Sequence, residues 1–146
     1  MAGERIGIVG GGQLGRMLTY PAKLLGNQVM VLDPTTREGK HFDHPASPAL
    51  QFGAEQIVGD LHDEEKIRRL AKESSIVTWE IEHINTAALM RLVEEGVDVQ
   101  PSPWTLAKIN DKYRQKKLLK DNGIPTAESW PINTPIDLDM LFMSNT

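Results

Sequence analysis

Three groups of side chains in this sequence have types and spacings that can do chemistry. The first is VGGGQLGRML at 9–18, where Gly10, Gly12 and Gly15 fit G-x-G-x-x-G behind the apolar start Ile6, Gly7, Ile8. Such a run allows a tight turn off a strand, close approach of a ligand to backbone N–H groups, and close packing at a helix start. A helix beginning near Gln13 and Leu14 then offers unpaired donors and a partial positive charge, which suits an anion such as phosphate. The Gln13 amide adds one donor group and one acceptor. The second group is TWEIEHI at 78–84, in which Glu80 and Glu82 bracket Ile81 at the end of a strand candidate. Alternation turns both carboxylates to one face, and open α/β sheets place ligands beyond the C-terminal ends of their strands. The third is the lysine-rich run INDKYRQKKLLKDNG at 109–123, with Lys112 directly after Asp111. By composition alone, this run reads as a solvated helical face.

Asp33 closes the second apolar run, VMVLD. A nicotinamide-binding domain keeps its ribose-binding acid there, yet an Asp before Pro34 can also cap or brace a loop. His41, His44, His62 and His83 lack metal-ligand spacing such as H-E-x-x-H, and the grouping of His41 and His44 with Asp43 reads as chance. No Ser–His–Asp elbow is present. The chain has no cysteine, which excludes a disulfide framework, a thiolate nucleophile and a zinc–thiolate site.

The elements that must position these groups follow from pattern. Ile6–Val9 and Val29–Leu32 read as buried strands. The helix between them runs from about Leu14 to Leu25, with Leu14, Met17, Leu18 and Leu25 on one face, Pro21 weakening its middle, and Gly26 as its stop. Strand–helix–strand is the start of a parallel sheet. Thr35 to Phe52 reads as loops and short pieces, and Gln56–Val58 as a short strand. Asp63 caps a helix to about Glu73, with Ile67, Leu70 and Ala71 on one face. Ile76–Trp79 is a strand, Ala87–Glu95 a helix stopped by Gly96, and Val97–Val99 a further short strand. Ser102–Pro103 opens a helix, and Asp111 caps another that ends at Gly123. After Trp130 no periodic face emerges. The expectation is a parallel sheet of four or five strands ending near Pro101–Pro103, with its order open.

The whole chain has 146 residues and a formal net charge of −4, with a sequence pI near 5.5. That length supports one domain burying roughly two thirds of its unfolded surface. The acidic balance argues against a nucleic-acid partner. The absence of a basic leader or a long apolar run points away from a membrane and toward the cytoplasm.

Five motifs in order now carry a family resemblance: GGGQLGRML at 10–18, VLDP at 31–34, TWEIEHI at 78–84, PSP at 101–103 and INDKYRQKKLLKDNGIPTA at 109–127. The chain resembles the N-terminal part of the N5-carboxyaminoimidazole ribonucleotide synthetases, ATP-grasp enzymes also called the ATPase subunit of phosphoribosylaminoimidazole carboxylase. The resemblance implies a Rossmann-like α/β pre-ATP-grasp domain over 1–103 and a helical start of the next region over 104–127. Residues 128–146 form an atypical or truncated tail. It implies an enzyme of purine biosynthesis that uses ATP and bicarbonate to carboxylate 5-aminoimidazole ribonucleotide through carboxyphosphate. Gly12, Gln13, Leu14 and Glu80 fall at its substrate-binding positions, and Glu82 is more structural. Lys112 stands where many members carry Arg and looks like a contact to an ATP phosphate, while Lys116 and Lys117 stay surface residues. The family's second glycine-rich loop and its Glu and Asn magnesium ligands come later than this chain reaches. The expectation is therefore no turnover by this polypeptide alone. A homodimer formed through the N-terminal domain is also implied. Two other readings stand beside it: a nicotinamide-dependent oxidoreductase, from Gly10, Gly12, Gly15 and Asp33, and a non-catalytic ribonucleotide-binding or dimerisation module.

Overall fold

The computed structural model describes residues 3–35 and 47–144. These fall into two compact units, Met1–Leu106 and Ala107–Thr146. In the first unit, β1 (Arg5–Val9), β2 (Gln28–Asp33), β3 (Glu55–Val58) and β4 (Ile76–Trp79) form one sheet in the order β3-β2-β1-β4. Every pairing is parallel, with Val9 beside Leu32 on one side and beside Trp79 on the other. The expected parallel α/β sheet is therefore present with four strands. The strand expected at Val97–Val99 is reduced to one parallel bridge between Val77 and Val99.

Two apolar layers hold the sheet. Ile8, Val29 and Val31 pack with Ala49 and Ala54, joined by the partly buried Ile6, Ala22 and Leu50. This layer lies under α1 (Gln13–Leu24) and the 3-10 turn Pro48–Phe52. On the opposite face, α2 (Glu64–Lys72) and α3 (Thr86–Glu94) supply the fully buried Ile67, Leu70 and Leu89. A Cβ on Gly7 would meet the Leu70 side chain at 3.0 Å, so α2 lies directly over the centre of β1. The caps follow the residue types: the Asp63 carboxylate accepts from Lys66 N–H, and the Asn85 side chain accepts from Ala88 N–H.

Helix α1 differs from its sequence reading in two respects. It passes through Pro21 unbroken, because Pro21 and Met17, whose carbonyl loses its donor, both lie on the exposed side. The face made by Leu14, Met17, Leu18 and Leu25 exists but is turned outward. The sheet is met instead by the small residues Gly15, Thr19 and Ala22.

α4 (Pro103–Ile109) leads the chain from the first unit into the second. There, α5 (Lys112–Asp121) is capped by Asp111, whose carboxylate accepts from Arg114 N–H. A further helix, α6 (Pro135–Ser144), stands where no periodic face was expected. Its residues do lack an apolar stripe, and it is specified by its start. Thr134 and Asp137 form a capping box in which Asp137 accepts from Thr134 N–H at 2.8 Å, and Pro135 occupies the first helical position.

Candidate functional site

The strand order creates the site. The chain winds outward from β1 through β2 to β3, then returns to place β4 on the other flank of β1. The reversal falls at the C-terminal ends of β1 and β4, where open parallel sheets usually place a ligand crevice. The glycine run follows β1 and Glu80 follows β4. In-register pairing of Val9 with Trp79 brings the two together, and Glu80 N–H donates to the Val9 carbonyl at 3.1 Å.

The Glu80 carboxylate enters the glycine-rich loop. One oxygen accepts from Gly12 N–H at 2.7 Å and the other from Gly15 N–H at 2.6 Å. These are short, charge-assisted bonds, and they place a resident negative charge at the positive end of α1. The expected anion at this helix start is thus supplied in part by the protein itself. The glycines make room for it. A Cβ on Gly12 would lie 2.8 Å from the nearer carboxylate oxygen, and one on Gly10 would overlap the Glu80 side chain. A Cβ on Gly15 would press on the Gly10 carbonyl at 2.8 Å.

Asp33 is buried, and its two oxygens accept from Gly11 N–H at 2.9 Å and Thr35 N–H at 2.8 Å. It braces the loop. The Gly11 carbonyl in turn accepts from the Ser47 hydroxyl and from Ala49 N–H. The Gln56 amide donates to the Asp33 and Thr35 carbonyls at 3.0 and 2.8 Å. Ser47 and Gln56 were not found from sequence; only the Ser-Pro pair at 47–48 signals a turn there.

Gln13 and Leu14 open α1, both exposed. Among the described residues, no acceptor meets their backbone N–H groups. Glu82, His62 and His83 are exposed and do not join the loop. His41, Asp43 and His44 lie outside the described residues. No group of three or more His, Cys, Asp or Glu that could hold a metal occurs among the described residues. No helix there is long and apolar enough to cross a membrane.

In the second unit, Lys112 is exposed at the first position of α5, with its ammonium 3.5 Å from the Gln115 side-chain oxygen. Lys117 is paired with Asp121 at 3.0 Å, and that partner raises its pKa above the usual lysine range. An open groove of about 650 Å³ runs along α5 and the segment after it, lined by Tyr113, Lys116, Lys120, Ile124 and Trp130.

Comparison with known proteins matches residues 3–110 to the ribonucleotide synthetase preATP-grasp domain. A chloroplastic phosphoribosylaminoimidazole carboxylase of Vigna aconitifolia is 37% identical over 128 residues, covering 88% of this chain and 21% of that protein. The crystal structure of N5-carboxyaminoimidazole ribonucleotide synthetase from Thermotoga maritima is 44% identical with a TM-score of 0.80, covering 95% of this chain and 36% of that one. The Aspergillus clavatus N5-carboxyaminoimidazole synthase, solved with ADP and 5-aminoimidazole ribonucleotide, is 37% identical with a TM-score of 0.79, covering 98% and 36% respectively. The chain thus spans about a fifth to a third of the length of these relatives.

Proposed function

The chain belongs to the family of ribonucleotide synthetase pre-ATP-grasp domains, and from that premise we propose that it is the ribonucleotide-recognising part of an ATP-dependent carboxylating ligase. The reaction of the whole enzyme converts 5-aminoimidazole ribonucleotide, bicarbonate and ATP to N5-carboxyaminoimidazole ribonucleotide, ADP and phosphate. The observation that carries this reading is the Glu80 carboxylate seated in the glycine-rich loop at the strand-order reversal. Each Glu80 oxygen takes one backbone N–H and keeps acceptor capacity for a ligand. The complementary ligand face is one that donates, such as ribose hydroxyls or an amine. Gln13 adds an adaptable amide at the rim, and the open Gln13 and Leu14 N–H groups can receive a ligand oxygen.

The same geometry counts against the nicotinamide reading. A dinucleotide pyrophosphate needs the loop amides that Glu80 already occupies, and its ribose needs an accessible carboxylate, whereas Asp33 is buried beneath the loop it braces. Lys112 fits a contact to an ATP phosphate, since it stands at the positive end of α5 and no carboxylate among the described residues pairs with it. It supplies a point charge without the fork of an arginine. For the whole enzyme, the proposal includes Mg2+ with ATP; among the described residues of this chain, no group of three or more His, Cys, Asp or Glu gathers to hold it. For the partner, we propose a second copy of the chain, met through the outward apolar face of α1.

Calorimetric titration of the chain with 5-aminoimidazole ribonucleotide and with NAD tests the ligand class. Tighter binding of the ribonucleotide, weakened at least about tenfold by Glu80→Gln through loss of a charged acceptor, is the expected result. Saturable NAD binding with no response to the ribonucleotide would reverse the assignment.

A further inference from the structure

Two consecutive peptide units of the glycine-rich loop are each gripped from the far side of the site. The Gly10–Gly11 unit is held through the Gly11 N–H, which donates to Asp33 at 2.9 Å. The Gly11–Gly12 unit is held through the Gly11 carbonyl, which accepts from the Ser47 hydroxyl and from Ala49 N–H at 3.0 Å. A trans peptide is planar and its C=O and N–H point in opposite directions. Fixing the Gly11 carbonyl toward Ser47 therefore aims the Gly12 N–H the other way, at Glu80, where it donates at 2.7 Å. From this we infer that Ser47 and Asp33 are positioning residues of the ribonucleotide site, setting the direction of the Gly12 N–H and thereby the orientation of the Glu80 carboxylate. The ligand part of this inference rests on the proposed function; the positioning part does not.

Both residues are suited to the task. Ser47 is 1% exposed and Asp33 6% exposed, so water does not compete for their bonds. They are tied to each other through Gln56, whose amide nitrogen donates to the Asp33 carbonyl and whose oxygen accepts from Ser47 N–H at 3.4 Å. Ser47 and Asp33 are buried, whereas Gln13 and Leu14 at the start of α1 are exposed. Ser47 and Asp33 thus act through the loop and not on the ligand.

Ser47→Ala removes the hydroxyl donor and leaves the Ala49 bond. Asp33→Asn keeps the shape but turns an NH2 toward either Gly11 or Thr35, both of which are donors. Amide hydrogen exchange followed by NMR reads the consequence without any ligand. Gly12 and Gly15 are expected to exchange about tenfold faster in each variant, while Val31, Leu32 and Val77 in the sheet stay unchanged. Unaltered exchange at Gly12 overturns the inference, and so does uniform acceleration across the sheet, which marks a purely structural role. Ser47→Ala keeps the test available if Asp33→Asn fails to fold. Titration of the same samples with 5-aminoimidazole ribonucleotide is expected to show affinity falling in step with the Gly12 change. Equal affinity before and after substitution overturns the link to the site. Absence of binding by the unsubstituted chain counts against the proposed ligand alone, and the exchange result still decides the positioning.

Discussion

Glu80 reaches the loop amides because no side chain stands in its way. Gly10 has a φ of +103°, a conformation that glycine adopts without strain, and a Cβ there would overlap Glu80. Gly15→Ala would put a methyl 2.8 Å from the Gly10 carbonyl, a backbone atom that cannot swing aside. Denaturant unfolding of Gly15→Ala should show a loss of about 1–3 kcal/mol from overpacking. Glu80→Gln keeps the volume but faces one of the two loop N–H groups with an NH2, and a loss of similar size, about 1–3 kcal/mol, is expected by the same measurement. The spacing of Gly10, Gly12 and Gly15 was legible in the sequence, as was a strand-end position for Glu80. Their mutual contact was not, because it depends on β4 lying beside β1, and local pattern does not encode strand order.

Between elements, α2 is tied to α3 by a chain of four charges. Glu64 accepts from Arg91 at 2.6 Å and from Arg68 at 3.2 Å, and Arg68 donates to both oxygens of Glu95 at 2.6 and 2.8 Å. Hydrogen bonds from Arg91 and then Arg68 hold Glu64 below the usual carboxylate range, and those from Arg68 do the same for Glu95. A carboxylate whose folded pKa is depressed stabilises the fold above its unfolded pKa and loses that contribution as pH falls through the folded value. Arg68→Met should therefore lower Tm at neutral pH, less so at high salt. Its Tm should converge on that of the unsubstituted chain as pH falls through the depressed folded pKa values and both carboxylates take up protons. Helix α6 obeys the same sign: Asn133 and Thr134 N–H groups hold Asp137 low, so its cap weakens in acid. Asp137→Ala should reduce far-UV helicity at neutral pH, and the difference from the unsubstituted chain should shrink as acid protonates Asp137 through its depressed folded pKa. The strands were legible because parallel strands covered on both faces are continuous apolar runs. α6 escaped because a helix without an apolar stripe has no period to detect; Thr134-Pro135-Ile136-Asp137 was the signal.

Within the first unit as a whole, α1 presents apolar residues in the wrong direction for a free-standing domain. Leu14, Met17, Leu18, Leu24 and Leu25 are between 44% and 79% exposed, and they recur at the spacing of one helical face. Tyr20 extends the surface, with its ring 5.0 Å from that of Phe52. The sequence disclosed this face but not its direction, since periodicity marks a stripe and leaves open which side meets the sheet. Gly15, Thr19 and Ala22 decide that, because only small residues let the helix axis approach β1 and β2 closely. Contiguous exposed apolar surface of this kind marks an interaction site, and a two-fold related copy would bury the stripe against itself. Sedimentation velocity at low and high protein concentration should show a concentration-dependent dimer. Met17→Glu with Leu24→Lys should hold the chain monomeric with its circular dichroism unaltered, because both side chains already face water in the single chain. A strict monomer at both concentrations would exclude α1 as a self-association surface.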